Sequence, residues 1–351
     1  MKRTRVNPVL LGVLALVLGV VVASLTFGQP AQVTLTWASN GGAYGKAEDA
    51  AWLTPYQKQF PNVKIVYDPT DDAQKLIQMV DSGNVSWDVV TLGNDFGLGS
   101  TEKYLEKIDC SVVTCSNLQP DKYPTTGYRA AQSSSGTVMA WNKQKLGGAP
   151  PPKNWTDFFD VQKYPGKRVM MGDLASSPLE IALVADGVPP DKLYPLDIPR
   201  ALKKFDTIKK VTNFTINYQG CAEAIATGDA VMGQCWSGRI YSMIKNGAPV
   251  DYTWTGQTSA AGYMGVPKGS KNVREAMNLI AYVLTSQNCA RITDFIPYGC
   301  VMPDASKYYK PEVIPNLGVA NTDKNTIFID DRYYATHRDE YNEAWQRWLN
   351  S

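Results

Sequence analysis

The stretch that decides the fold is Val231-Met-Gly-Gln-Cys-Trp-Ser-Gly-Arg239. Behind it come Gly247-Ala-Pro-Val-Asp-Tyr-Thr-Trp254, Gly262-Tyr-Met-Gly-Val-Pro-Lys-Gly-Ser-Lys-Asn272 and Ile296-Pro-Tyr-Gly-Cys-Val-Met-Pro303. Residues 230–235 read as a strand that delivers Trp236 to a loop, and 239–246 as the helix that follows. Residues 250–254 and 261–266 read as two further strands, the second returning to an earlier part of the chain. Such a return needs two bodies joined by more than one strand, which is the layout of a two-lobed clamp.

Working outward, 33–39 alternates apolar and polar residues and breaks at Asn40-Gly41-Gly42, the mark of a strand ending in a loop. Strands follow at 64–67 and 88–92, with a helix between them that Asp71 or Asp72 can cap. Strands alternating with helices at this spacing imply βα units and a mostly parallel sheet. Residues 137–142 form another strand, and the proline-rich 147–152 leads into a second lobe. That lobe is expected to hold strands at 168–172 and 214–218 and helices at 178–185, 200–210 and 221–227. A long helix is expected over 273–292 and a final one over 338–349. The lobes are drawn as 32–138 with 259–301, and 139–258 with 302–351.

The N-terminal stretch 1–31 carries Lys2, Arg3 and Arg5, then an apolar run over 9–25, then small polar residues. This is a secretory signal pattern, though the run is long enough that an uncleaved anchor is the alternative. The first cysteine is Cys110, so a lipid on a cysteine at the mature N-terminus is not expected. Both readings place the body outside the cytoplasm, in the periplasm or extracellular space. A body of this length exceeds the ~250–300 residues at which one core stops growing, so two lobes are expected. Six cysteines in an exported chain invite disulfides. Proximity pairs Cys110 with Cys115, Cys221 with Cys235 and Cys289 with Cys300.

The formal charge is +2 with no long run of one sign, which gives nucleic-acid binding no clustered basic face. The chain has a single histidine, His337, so a Ser-His-Asp triad or a histidine-rich zinc site would rest on that one residue. Nucleophile-elbow, phosphate-loop and His-Glu-x-x-His motifs do not occur. No catalytic residue, cofactor or metal is expected.

In open α/β sheets ligands sit beyond the carboxyl ends of strands. The rule selects the loops after Ser39, Leu92, Gly172 and Cys235, together with the crossing strands near Ser135 and Tyr263. Asn40 and Gly41 could present backbone N–H groups or form an ordinary tight turn. Asn94 and Asp95 follow a buried strand, where Asp95 either accepts a bond from a solute or caps a helix. Trp236 either packs in a core or lays an aromatic face on an alkylammonium, an attraction of about 0.5–2 kcal/mol. Arg239 either grips a solute carboxylate or pairs with a neighbouring acid.

The Asn40-Gly41-Gly42 loop, the Trp236-Ser-Gly-Arg239 segment, the Tyr263-Met-Gly-Val-Pro-Lys-Gly-Ser270 run, Ile296-Pro-Tyr-Gly299 and the tail Ala344-Trp-Gln-Arg-Trp348 together resemble the polyamine-type extracytoplasmic solute-binding proteins of ABC importers. The resemblance implies a periplasmic-binding-protein-like α/β fold of type II with two hinge crossings. It implies a small amine-containing ligand and an ABC permease as partners, with the protein acting as a monomer. It also implies that Tyr44, Trp236, Tyr263 and Tyr298 form aromatic walls and that Asp173, Asp95 and Asp331 anchor a cationic amine. The chain departs from those relatives at 260–263, where Ala-Ala-Gly-Tyr stands in place of a Trp and an Asp. An ammonium removed from water without a carboxylate costs several kcal/mol. A zwitterion such as a γ-amino acid, with Arg239 on its carboxylate, is therefore the alternative cargo. Paired tyrosines at 308–309 and 333–334 lie too near the C-terminus for the iron-binding arrangement of related clamps. An extracytoplasmic enzyme on the same scaffold is the rival of another class.

Overall fold

A computed structural model describes residues 31–94, 96–118, 127–173 and 176–351. The signal segment and Asp95 lie outside the described residues. No helix among those described is long and apolar enough to cross a membrane.

The chain begins with β1 (Val33–Ala38), α1 (Gly42–Glu48), a π-helical turn at Asp49–Leu53, α2 (Thr54–Gln59), β2 (Val63–Asp68), α3 (Ala73–Asp81) and β3 (Val89–Leu92). Asp72 caps α3, accepting from the backbone N–H of Gln74 and Lys75 at 2.7 and 3.1 Å. Next come β4 (Ala130–Ser135), β5 (Thr137–Asn142), α4 (Trp155–Phe159), β6 (Arg168–Met171), α5 (Pro178–Ala185), α6 (Ile198–Asp206) and β7 (Thr212–Thr215). The decisive stretch supplies α7 (Tyr218–Thr227), β8 (Met232–Trp236), α8 (Ser237–Lys245), β9 (Val250–Thr253) and β10 (Thr258–Gly265). The remainder is α9 (Val273–Val283), α10 (Ser286–Ala290), β11 (Gly299–Cys300), β12 (Ile327–Phe328) and α11 (Asp331–Leu349).

The strands form two sheets. One runs β11-β4-β10-β3-β1-β2 with β12 beside β10, and the other runs β7-β6-β8-β5-β9. Both are mixed rather than mostly parallel. The βα strands β1, β2 and β3 are parallel, as are β6, β7 and β8, but β10 runs antiparallel to β3 and β4, and β5 runs antiparallel to β8 and β9. The antiparallel members are the strands that enter or leave a sheet at a crossing, which have no crossover helix to force them parallel.

The chain leaves the first sheet at Ser135 and enters the second at Thr137, with Gly136 between them. It returns into β10 at Thr258. The two crossings touch: a Cβ at Gly136 would lie 1.7 Å from the Thr258 carbonyl oxygen, and the Thr137 N–H donates to Thr258 Oγ1 at 2.9 Å. Only glycine fits that position. Met302 and Ala305 pack into the core of the first sheet beside Val301, although the sequence reading assigned 302–351 to the second lobe. The tail joins the second core only with Ile327 and α11, whose Tyr334, Tyr341, Trp345 and Trp348 are buried there.

Two other expectations shift for local reasons. The helix expected over 273–292 breaks after Val283, because Thr285 takes an extended conformation and caps α10 through the Asn288 N–H at 3.2 Å. The final helix starts at Asp331, seven residues before the expected start, because Asp330 caps it by accepting from Arg332 N and Tyr333 N at 2.9 and 3.0 Å. That places His337 inside the helix, its ring stacked 4.1 Å from Tyr333. The cysteines pair as expected: Cys110 with Cys115, Cys221 with Cys235 and Cys289 with Cys300.

Candidate functional site

Where the two sheets face one another lies a cleft of about 610 Å³. Nine of the residues singled out in the sequence line it: Asn40, Gly41, Tyr44, Asn94, Ser135, Asp173, Trp236, Arg239 and Tyr298. The first lobe brings the loop after β1, the end of β3, strand β4 and the turn before β11. The second brings the loop after β6 and the junction of β8 with α8. Two of the three disulfides sit beside these walls. Cys235 directly precedes Trp236 and ties β8 to α7, while Cys300 ties the Tyr298 turn to α10.

Tyr44 and Tyr298 make the aromatic wall of the first lobe, with ring centroids 5.4 Å apart. Tyr44 Oη accepts from Gln132 Nε2 at 3.2 Å. Burial pushes the Tyr44 hydroxyl well above its ordinary range and Tyr298 up to about 12, so both stay protonated donors. Trp236 faces them from the second lobe, half-buried and edge-on to Tyr218 at 6.2 Å.

Arg239 is the central charge. It leaves the first turn of α8, only 3% exposed, and crosses to the first lobe. Both Nη1 and Nη2 donate to the Gly41 carbonyl at 3.2 Å, and Nη1 also donates to Gln219 Oε1 at 3.3 Å. All of these acceptors are neutral. Gly42 makes the approach possible: it has φ +68°, and a Cβ there would lie 2.7 Å from Arg239 Nη1.

A second close contact between lobes is at Gly238, where a Cβ would lie 2.6 Å from Tyr298 Cε1 and from Ile296 Cγ1. Gly238→Ala is therefore expected to cost about 1–3 kcal/mol through overpacking, and to weaken solute binding because α8 must back away from Tyr298. Wild-type affinity in isothermal titration would show that the contact yields freely.

Two singled-out residues, Tyr263 and Asp331, do not line the cleft. Asp95 lies outside the described residues. Tyr263, the neighbour of the lining Gly262, is buried with its hydroxyl 2.5 Å from Asp331 Oδ2. An irregularity in β10 between Gly262 and Tyr263 breaks the alternation that would have placed it on the wall. Asp331 is buried as well, its carboxylate held by Arg129 at 2.9 Å, so it is a partner of the framework and not of the cavity. Asp173 does line the cleft, but its carboxylate accepts from Ser176 N and Oγ at 3.0 Å.

The sequence reading passed over Asp71, Ile216, Tyr218 and Gln219, all of which line the cleft. They follow β2 and β7. The strand-end rule, applied to those two strands as well, selects them. Asp71 receives the Asn40 Nδ2 donor at 2.6 Å. Ala260, Ala261 and Gly262 also line the cleft, so the departure from the polyamine pattern falls at the site itself.

Behind the Asn40 loop lies Glu48, fully buried at the end of α1. Its Oε2 accepts from Tyr67 Oη at 3.3 Å, and that hydroxyl also donates to the Asn40 carbonyl at 2.7 Å. Burial pushes the Glu48 carboxyl up to about 8, against the opposing effect of the Tyr67 hydrogen bond. The tyrosine pair 333–334 belongs to the second core: Tyr334 donates to the buried Glu180 carboxylate.

A two-lobed α/β clamp with aromatic walls, one crossing guanidinium and acids at its margins is a site built to enclose a small solute. The family model described as bacterial extracellular solute-binding protein matches residues 51–318, and the chain belongs to that family. The "gamma-aminobutyric acid-binding protein" of Pseudomonas aeruginosa is 29% identical over 341 residues, covering 92% of this chain and 94% of its own. The spermidine/putrescine-binding periplasmic protein of Escherichia coli is 26% identical over 224 residues, 60% of this chain and 62% of its own. Among solved structures, one titled a GABA receptor is 34% identical, covers 90% of this chain and 97% of its own, and superposes with a TM-score of 0.80. An Agrobacterium tumefaciens R10 binding protein in complex with agropinic acid is 31% identical, covers 91% and 99%, and has a TM-score of 0.83. The fold is thus a two-lobed type II binding-protein fold and the protein binds a solute. The polyamine-type resemblance reduces to the wider family.

Proposed function

We propose that this solute-binding protein serves an ABC importer and encloses a small zwitterion of the γ-amino-acid class, not a polyamine. The observation that carries this reading is Arg239: a buried guanidinium lining the cleft whose acceptors, Gly41 O and Gln219 Oε1, are both neutral. A solute carboxylate offers it a charge-assisted bidentate partner. A polyamine has no anion to offer and would be repelled by it. Asp71 and Asp173 give the ammonium end its acids, and Trp236 covers the methylenes and the cation together. Cargo that touches both lobes stabilises the closed clamp by differential contact, which is the signal a permease would read. The names of the P. aeruginosa relative and of the GABA-receptor structure support the same class.

The cleft volume favours a second reading, a larger amine-bearing carboxylate such as the agropinic acid held by the A. tumefaciens relative. An enzymatic role has less support, since His337 is stacked in α11 and does not line the cleft.

A thermal-shift panel separates these readings. γ-Aminobutyrate is expected to raise the melting temperature, agropinic acid to do so if the larger cargo is correct, and putrescine, spermidine and butyrate to leave it unchanged. A shift with putrescine alone would overturn the proposal, and chemical change of the bound solute would indicate an enzyme. Trp236→Ala is expected to weaken γ-aminobutyrate binding by about 0.5–2 kcal/mol with little change in the melting of the free protein. Unaltered affinity in calorimetry would remove Trp236 from the site.

A further inference from the structure

Helix α11 packs in the second lobe through Tyr334, Tyr341, Trp345 and Trp348, yet its first residue reaches the first lobe. There the buried Asp331 carboxylate accepts from Arg129 Nη2 at 2.9 Å and from Tyr263 Oη at 2.5 Å. Arg129 is itself fully buried, its guanidinium 3.6 Å from the Tyr263 ring centroid. Its other arm, Nη1, donates to the carbonyls of Asn94 at 3.0 Å and Phe96 at 2.7 Å. Asn94 and Phe96 line the cleft.

The same helix meets this segment a second time. Gly99 has φ +58°, and a Cβ there would lie 2.8 Å from the Ala335 carbonyl oxygen. One side of the cleft is thus fastened to the start of α11 at two points. A buried ion pair is a poor device for stability alone, because the desolvation of both charges offsets much of their attraction. Holding two backbone carbonyls and a carboxylate in one planar fork is a task that only arginine performs.

We propose that Arg129 and Asp331 are positioning residues of the solute site: without touching the solute, the pair fixes the wall residues Asn94 and Phe96 against α11, so that affinity depends on it. The proposal rests on the cleft being the solute site and deepens that reading. In Arg129→Lys the charge opposite Asp331 remains, but one ammonium cannot span the carboxylate and both carbonyls. In the double variant Arg129→Met with Asp331→Met, both charges of the pair go together, so neither is left buried facing an empty partner position, and the cost to stability is smaller than that of either single change.

The test uses the full chain. Amide hydrogen exchange over residues 92–99 is measured without added solute, affinity for γ-aminobutyrate by calorimetry, and stability by urea unfolding. Both variants are expected to exchange faster over 92–99 and to bind roughly tenfold more weakly, a loss out of proportion to any change in unfolding. Unchanged exchange and affinity in a stably folded variant would overturn the proposal. If the double variant fails to fold, Arg129→Lys carries the same test. If the parent chain does not bind γ-aminobutyrate, the cargo proposal fails, and the exchange result alone decides the role of Arg129 and Asp331.

Discussion

Arg239→Met is expected to weaken binding of γ-aminobutyrate by about 100-fold or more, since a lost charge-assisted pair is worth roughly 3 kcal/mol. Methionine keeps much of the side-chain length and leaves Gly41 O and Gln219 Oε1 at a cleft margin that water can reach. Folding should therefore survive the change. If calorimetry instead found affinity unchanged for the amino acid, the guanidinium would be a structural bridge between Gly41 and α8. If affinity for putrescine rose in the variant, repulsion by Arg239 would be shown to be what excludes diamines.

The second large effect concerns pH. The Glu48 carboxyl is raised from 4.5 to about 8 in the folded chain because it is buried. Below about pH 4.5 both folded and unfolded forms carry the proton, and the group favours neither. As pH rises toward 8 the unfolded chain gives up that proton while the folded chain keeps it, so stability falls by about 1.4 kcal/mol per pH unit from this residue. Above about 8 the loss levels off, at a total on the order of 5 kcal/mol. Glu48→Gln keeps the shape and the acceptor for Tyr67 and removes the titration. Urea unfolding should find the variant more stable than the parent at pH 8 and nearly equal to it at pH 4.5. An equal difference at both values would mean that Glu48 does not titrate in this range.

Much of the site was legible because strand ends can be read from one sequence. Asn40, Asn94, Asp173 and Trp236 each follow a short apolar strand, and a parallel unit delivers such residues to one edge of its sheet. The rule failed where strand position alone does not set direction. Tyr263 stands one residue from the lining Gly262, and an irregularity in β10 turns it into the interior. Asp331 reads equally well as an anchor or a helix residue, and only the buried Arg129, 202 positions away, shows which partner claims it. Asp71 and Tyr218 were missed for want of applying the same rule to β2 and β7. The tail was assigned to the second lobe as a whole from 302 onward, and only tertiary packing shows that Met302 and Ala305 stay with the first core while Ile327 and α11 join the second.

By itself the sequence determined the two-lobed α/β clamp, and it suggested the three cysteine pairs and the place of Trp236 at the cleft that the structure then showed. Those features depend on local periodicity, on short spacings between cysteines, and on the rule for strand ends. Tertiary structure alone decided which charges are free for a solute. Arg239 and Asp331 are equally plausible ligands on paper, but one is buried against neutral carbonyl and amide oxygens and the other against a guanidinium. A charge is available to bind only if the fold leaves it unneutralised, and that depends on residues brought together from distant parts of the chain.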